Sequence, residues 1–253
     1  MSKTNLLPPS VAAALGGLTL GLGAALPALG AEDPHTFSAN IGAVSNYLWR
    51  GLTQTGDGAA IQGGLDYSHA SGFHAGTWAS NVDWGTDKPS YELDAYFGFK
   101  GAINDDLGYA LKATYYAYPD GRDVDFAELQ ASGTWKWLTA GVAYTVYGQA
   151  DDAPGVRNNE AQYIQGDLYY FASLDFELPR DFGLSLRAGY TDFEYNDLTD
   201  GDGNGIGGDY AHFGLTVSRA AGDFGTFSLN YDQVARNSYD DDPKVWVGWL
   251  KEF

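Results

Sequence analysis

The chain contains no cysteine, which excludes a disulfide framework, a thiolate metal site and a cysteine nucleophile together. Basic residues are few: 14 Lys and Arg stand against 33 Asp and Glu, a formal net charge of −19. Phosphate recognition needs a basic patch, so nucleic acid is excluded as a partner. After residue 30 no apolar run reaches the roughly 18 residues of a membrane-crossing helix. Histidines number only four. His69 stands beside Ser68 and near Ser71 in a short turn, while His74 and His212 share strand faces with Ser80 and Ser218. No nucleophile–base–orienter set can be assembled from these, no G-x-S-x-G elbow occurs, and no catalytic residue is assigned.

What is present begins with an export signal. Residues 1–30 carry Lys3, an apolar stretch from Val11 to Leu29, and the ending Ala28-Leu29-Gly30. That is the charged, apolar and small-residue order of a secretory signal peptide, with cleavage expected after Gly30. Residues 31–253 then form the exported domain.

In that domain the hydrophobic pattern has a period of two. Residues 109–117 set Tyr109, Leu111, Ala113, Tyr115 and Ala117 against Ala110, Lys112, Thr114 and Tyr116. Residues 138–146 set Leu138, Ala140, Val142, Tyr144 and Val146 against Thr139, Gly141, Ala143 and Thr145. Such runs predict strands. Twelve are expected: 36–48, 59–68, 73–81, 91–100, 108–118, 126–135, 138–147, 164–177, 183–193, 209–219, 224–234 and 244–253. Their connections alternate between short turns, such as Lys136-Trp137, and long polar loops, such as 148–162 and 194–208. This is the pattern of an all-β transmembrane antiparallel β-barrel, with short periplasmic turns, longer external loops and both termini on the periplasmic side. A soluble β-sandwich also alternates. The strands here are near the ten residues that cross a bilayer at a tilt, their apolar faces carry almost no charge, and Tyr and Trp gather at their ends. A mean hydropathy of −0.28 does not oppose a barrel, since every second residue faces water.

The final strand ends on Phe253, preceded in steps of two by Trp249, Val247 and Val245, with Lys251 as the one departure. This ending resembles the signal read by the barrel assembly machinery, which is expected as a partner during biogenesis.

Residues 45–54, SNYLWRGLTQ, and 59–82, AAIQGGLDYSHASGFHAGTWASNV, resemble the start of the TorF family of porin-type proteins, small Gram-negative outer-membrane β-barrels. In that family an aromatic-x-aromatic-Arg-Gly segment precedes a hairpin with a His-Ala-Ser-Gly-like turn and a Trp-x-Ser-Asn stretch. The resemblance implies a barrel in the bacterial outer membrane, in contact with its lipid and lipopolysaccharide. It names no solute.

With apolar residues facing lipid, parity places Asp66, His74, Glu92, Asp94, Lys100, Lys112, Glu128, Asp167, Asp175, Glu177, Arg187, His212 and Asp232 inward. Carboxylates dominate this set, and such a lining favours cations over anions. The expected function is a narrow channel passing small cations or neutral solutes by diffusion. Arg50, the arginine of the TorF-like segment, is expected as a structural or constriction residue. The alternative is a closed structural or adhesive barrel whose interior charges pair and whose acidic loops bind a partner or calcium. An outer-membrane hydrolase is the third reading. In the loop 200–205, Asp200, Asp202 and Asn204 have the spacing of calcium ligands, but Ala211 stands where a bidentate acid belongs and Asp209 is the nearest substitute. Calcium there is the one cofactor considered. Asp240-Asp241-Asp242 before Pro243 is a charge run that divalent cations can bridge to lipopolysaccharide phosphates. No oligomer interface can be read.

Overall fold

The period-two alternation closes on itself. The computed structural model describes residues 34–85, 88–152, 162–195, 208–235 and 241–253. Twelve antiparallel strands form one closed barrel: β1 (His35–Val44), β4 (Ala60–His69), β5 (Phe73–Asn81), β6 (Tyr91–Ala102), β7 (Leu107–Ala117), β8 (Phe126–Trp135), β9 (Leu138–Gly148), β10 (Leu168–Leu178), β11 (Phe182–Asp192), β12 (Tyr210–Ala220), β13 (Thr226–Val234) and β14 (Lys244–Glu252). Each pairs with its sequence neighbours, and β1 closes the ring on β14 from Asn40 opposite Glu252 to Val44 opposite Gly248. Two further strands, β2 (Leu48–Trp49) and β3 (Leu52–Thr53), pair only with each other. Among the described residues no helix is long and apolar enough to cross a membrane.

Strand β6 shows how sequence becomes wall. Its outward residues Tyr91, Leu93, Ala95, Phe97 and Phe99 are exposed, while Glu92 and Asp94 are buried and Tyr96 and Lys100 half-buried. The same division runs round the ring, with Ile61, Leu65, Leu111, Leu129, Phe213 and Val247 bare on the outside. A continuous exposed apolar belt of this kind fits a lipid-facing surface, since a protein in water rarely leaves so much uncovered. Aromatic rings mark both rims. Trp135, Trp137 and Phe176 cluster at the short-turn end, where Trp249 Nε1 also donates to Phe224 O at 2.7 Å. Tyr115 and Tyr147 stack at the long-loop end.

Three expected details are corrected. The first strand stops at Val44 rather than 48, because Ser45 N–H bonds Val247 O and the chain then turns inward. The strand expected from 164 begins at Leu168, since Gly166 is left-handed (φ +115°) and breaks the extended run. In β9 the alternation slips by one: a β-bulge moves the register from Glu128 opposite Thr145 to Ala127 opposite Tyr147. Tyr147, not Val146, therefore continues the outer face.

The hydrophobic core lies inside the barrel rather than around it. Val44, Tyr47, Leu48, Trp49, Ala60, Val82, Tyr116, Tyr118, Phe126 and Trp246 form one buried cluster, and Phe193, Tyr210 and Val234 a second, against which Leu52 packs. Most of β2 and β3 is inside this core.

Candidate functional site: a lumen closed by an inward hairpin

The segment between β1 and β4 folds into the lumen. Its base is organised by Asn46, whose side chain accepts from Thr53 Oγ1 at 2.7 Å and donates to Asp57 at 2.7 Å. Gln54 N–H returns to Tyr47 O at 2.7 Å, and Leu48 and Trp49 pair with Thr53 and Leu52. Arg50 and Gly51 form the tip, both left-handed at φ 49° and 84°, as a two-residue turn between twisted strands requires. Glycine is needed at 51 for a second reason: a Cβ there would lie 2.7 Å from His212 Cβ and 3.0 Å from Val234 Cγ2.

The tip carries Arg50 onto the far wall. Its Nη2 donates to Glu128 Oε1 at 2.8 Å and Oε2 at 2.6 Å, and the two side chains are only 8 % and 4 % exposed. The guanidinium carbon lies 4.1 Å from the Trp49 ring centre and 4.0 Å from that of Tyr169, a cation held between two aromatic faces. Trp49 in turn packs on Tyr116, Phe126 and Tyr163. At the base, Tyr47 OH donates to Glu92 at 3.1 Å, Trp84 Nε1 donates to Gln54 at 3.1 Å, and Lys244 pairs with Asp57 at 2.8 Å.

The wall across from Glu128 carries a second paired arginine. Arg187 Nη1 donates to Thr216 at 2.6 Å and Nη2 to Asp232 at 3.1 Å, while Trp246 Nε1 donates to the other Asp232 oxygen at 2.8 Å. His212 Nε2 and Tyr169 OH are 2.9 Å apart. Between tip and wall lies a cavity of about 60 Å³, bordered by Trp49, Arg50, Tyr169, Arg187, His212 and Trp246.

The other expected lumen residues sort as follows. Glu92, Asp94 and Lys112 are buried on the inner face; both Asp94 oxygens and Lys112 Nζ make no hydrogen bond to protein. Asp66 accepts from Tyr96 OH and from Asn40 at 3.5 Å. Asp175 accepts from Ser173 at 2.7 Å. Lys100 is half-buried, and Glu177 is exposed near the short-turn end. Asp167 is buried just before β10, at the same parity as the inward Tyr169, and accepts backbone N–H groups from Ile164 at 3.1 Å and Glu194 at 2.9 Å, tying two long connections together. Burial pushes its carboxyl up to about 6 against these donors.

Among the described residues the inward histidines make no hydrogen bond to serine: His74 Nδ1 lies 3.4 Å from Gly72 O and His212 bonds Tyr169. His69 Nδ1 does meet Ser71 Oγ at 2.8 Å, in an exposed turn. Asp200, Asp202 and Asn204 lie outside the described residues, as does Asp240, and among the described residues no His, Cys, Asp and Glu group has the arrangement to hold a metal. Phe253 exchanges backbone hydrogen bonds with Ala39 at 2.9 and 3.2 Å, beside the β1–β14 seam.

The hairpin itself was not foreseen. Its signal was Tyr47-Leu48-Trp49, three large apolar residues in a connection that would otherwise stand in water, followed by Arg-Gly at a turn.

A family model described as "Bacterial protein of unknown function (Gcw_chp)" matches residues 28–248. No curated protein matches the chain. Solved structures share the fold. The KdgM porin is similar over 85 % of this chain and 98 % of its own, with a TM-score of 0.56 at 8 % identity. A KdgM porin in complex with disordered oligogalacturonate gives 0.54 at 7 % identity, over 86 % and 98 % of the two chains. The NanC porin gives 0.51 at 12 % identity, over 85 % and 98 %.

Proposed function

We propose that this chain, which belongs to the bacterial Gcw_chp family of unknown function, is a narrow outer-membrane channel passing small cations or neutral solutes by diffusion. The observation that carries the reading is the pairing of an apolar outer face with a polar, charged inner one inside a closed ring of twelve strands. The likeness to porin structures, and the TorF-like segment 45–82, support the same reading. The inner face sets the preference. Asp66, Glu92, Asp94, Glu128, Asp175 and Asp232 outnumber Arg50, Lys100, Lys112 and Arg187, and Arg50 and Arg187 are spent on pairs with Glu128 and Asp232. The surplus is negative, which favours cations and disfavours a polyanion such as the oligogalacturonate of one KdgM structure.

Export through a cleaved signal at residues 1–30, insertion by the assembly machinery through Phe253, and contact with lipopolysaccharide belong to the same proposal. Calcium binding by Asp200, Asp202 and Asn204 belongs to the alternative of a closed barrel with ligand-binding loops. A second reading, a shut structural barrel with no transport activity, is favoured by the buried Arg50–Glu128 pair and the packed Trp49. Reconstitution into planar bilayers under unequal salt separates the two. The channel reading expects discrete conductance with a reversal potential of cation sign; anion preference overturns the charge argument, and absence of conductance overturns the channel.

A further inference from the structure

Arg50 is part of the chain, yet its surroundings are those of a bound ligand. Of the three groups that hold its head, Trp49 is its own neighbour, and the other two belong to the wall: the Glu128 carboxylate on β8 and the Tyr169 face on β10. Glu128 is itself positioned without Arg50. Its strand is paired along its length with β7 and β9, and Tyr116 OH bonds its Oε2 at 3.4 Å. The hairpin tip, by contrast, takes no backbone hydrogen bond from the wall. Its hydrogen-bonded link to the barrel is the Arg50–Glu128 pair, and its backbone partners are its own two strands. The base of the hairpin is tied to the wall by Asp83 N–H to Gln54 O at 2.7 Å and by Tyr47 OH to Glu92, but its tip meets the seat through side chains.

The charge around the seat points the same way. With Arg50 withdrawn, the buried groups of this wall are Glu92, Asp94 and Glu128 against Lys112. Lys112 Nζ makes no hydrogen bond, so it neutralises part of this charge without occupying the seat. Among the described residues Glu128 has no salt-bridge partner besides Arg50, so a cation that replaces the tip meets an unpaired carboxylate. The seat also opens onto the cavity bordered by Arg187, His212 and Trp246, so a molecule larger than a guanidinium has room to extend toward the lumen.

We infer that the Trp49-Arg50 tip is a built-in stand-in for the solute, and that Glu128 and Tyr169 form a lumen binding site for an organic cation, a guanidinium or primary amine carried next to an apolar or aromatic group. The site deepens the channel reading and rests on it for its place in transport. The cation donates to both Glu128 oxygens, lies against the Tyr169 ring, and brings its apolar neighbour against Tyr116 and Phe126, where Trp49 now sits. An incoming solute displaces the tip and so frees the passage it blocks.

The test is titration calorimetry of the full barrel in detergent with L-argininamide, sodium acetate serving as the anionic control. Wild type binds argininamide weakly because the tip competes. Arg50→Ala is expected to bind it roughly tenfold or more tightly, Arg50→Ala/Glu128→Gln to lose that gain, and acetate to show none of this pattern. Equal affinity in wild type and Arg50→Ala, or undiminished affinity in the double variant, overturns the site. Should Arg50→Ala fail to fold, Arg50→Lys decides: it keeps the charge but loses the fork and ring stacking, so an intermediate gain supports the site and no gain overturns it. Conductance recorded on the same preparations separates the two ideas. Argininamide binding without conductance sinks the channel and leaves the site, whereas conductance without binding sinks the site alone.

Discussion

Arg50 and Glu128 stand 78 positions apart in the chain, and their side chains meet at 2.6 Å inside the barrel. The pair joins the tip of a short hairpin to a wall that does not need it for its own hydrogen bonding. Strand pairing of the barrel and position of the tip are therefore separable, and substitutions at the tip act on the second more than on the first.

Glu128→Ala tests that separation. It leaves a buried guanidinium without its carboxylate, a loss of about 3–5 kcal/mol where one partner of a buried pair is removed. The strain is relieved most simply by release of the tip, since β7–β8 and β8–β9 pairing survives. Hydrogen exchange is expected to speed up at residues 47–54 while the barrel strands stay protected. Equal loss of protection in both would show that the hairpin and wall form one cooperative unit.

Gly51→Val attacks the same tip sterically. The new Cβ meets His212 Cβ at 2.7 Å, and φ at 84° is a conformation a β-branched residue avoids. The tip is expected to be expelled, so single-channel conductance in planar bilayers rises above wild type. Unchanged conductance in a folded variant would show that the hairpin is not the obstruction.

How much of this could be read beforehand divides along the physics. The strands were legible because lipid outside and polar lumen inside impose a strict period of two, which β6 displays without exception from Glu92 to Lys100. Inward residues followed by parity. Parity failed at Val146, where a β-bulge inserts a residue with no compositional mark. The site was only half legible. Glu128, Asp232 and Arg187 were placed inward, but the pairing of Arg187 with Asp232 depends on a register that sets both opposite Gly214 of β12. The seat of Arg50 depends on a loop entering the barrel, a tertiary event that local pattern does not encode.

Asp167 predicts a pH dependence. Its carboxyl sits near 6 instead of the usual 3.8, because burial outweighs the N–H donors of Ile164 and Glu194. The folded state therefore holds this proton more tightly than the unfolded chain does. The stabilising contribution is full below 3.8, declines as pH rises from 3.8 to about 6, and is gone above. Thermal unfolding of wild type and Asp167→Asn across pH 4–7 should show a wild-type advantage that shrinks with rising pH. A difference constant over that range would mean the group does not titrate there.

Asp94 and Asp232 are buried aspartates on opposite walls, and they should respond oppositely to the same change. Asp232 holds Arg187 and Trp246, so Asp232→Asn weakens a charge-assisted network and strands a buried arginine, lowering stability by about 3–5 kcal/mol. Asp94 makes no hydrogen bond among the described residues, so Asp94→Asn strands no partner and is expected to leave the unfolding midpoint unchanged or higher. Its effect falls instead on the lumen. Removing an acidic group from the Glu92–Glu128 wall is expected to lower the ratio of cation to anion permeability, read as a shift of the reversal potential toward zero in unequal salt. Loss of stability in Asp94→Asn with no change in selectivity would make this aspartate a structural partner of Lys112 rather than a determinant of what passes.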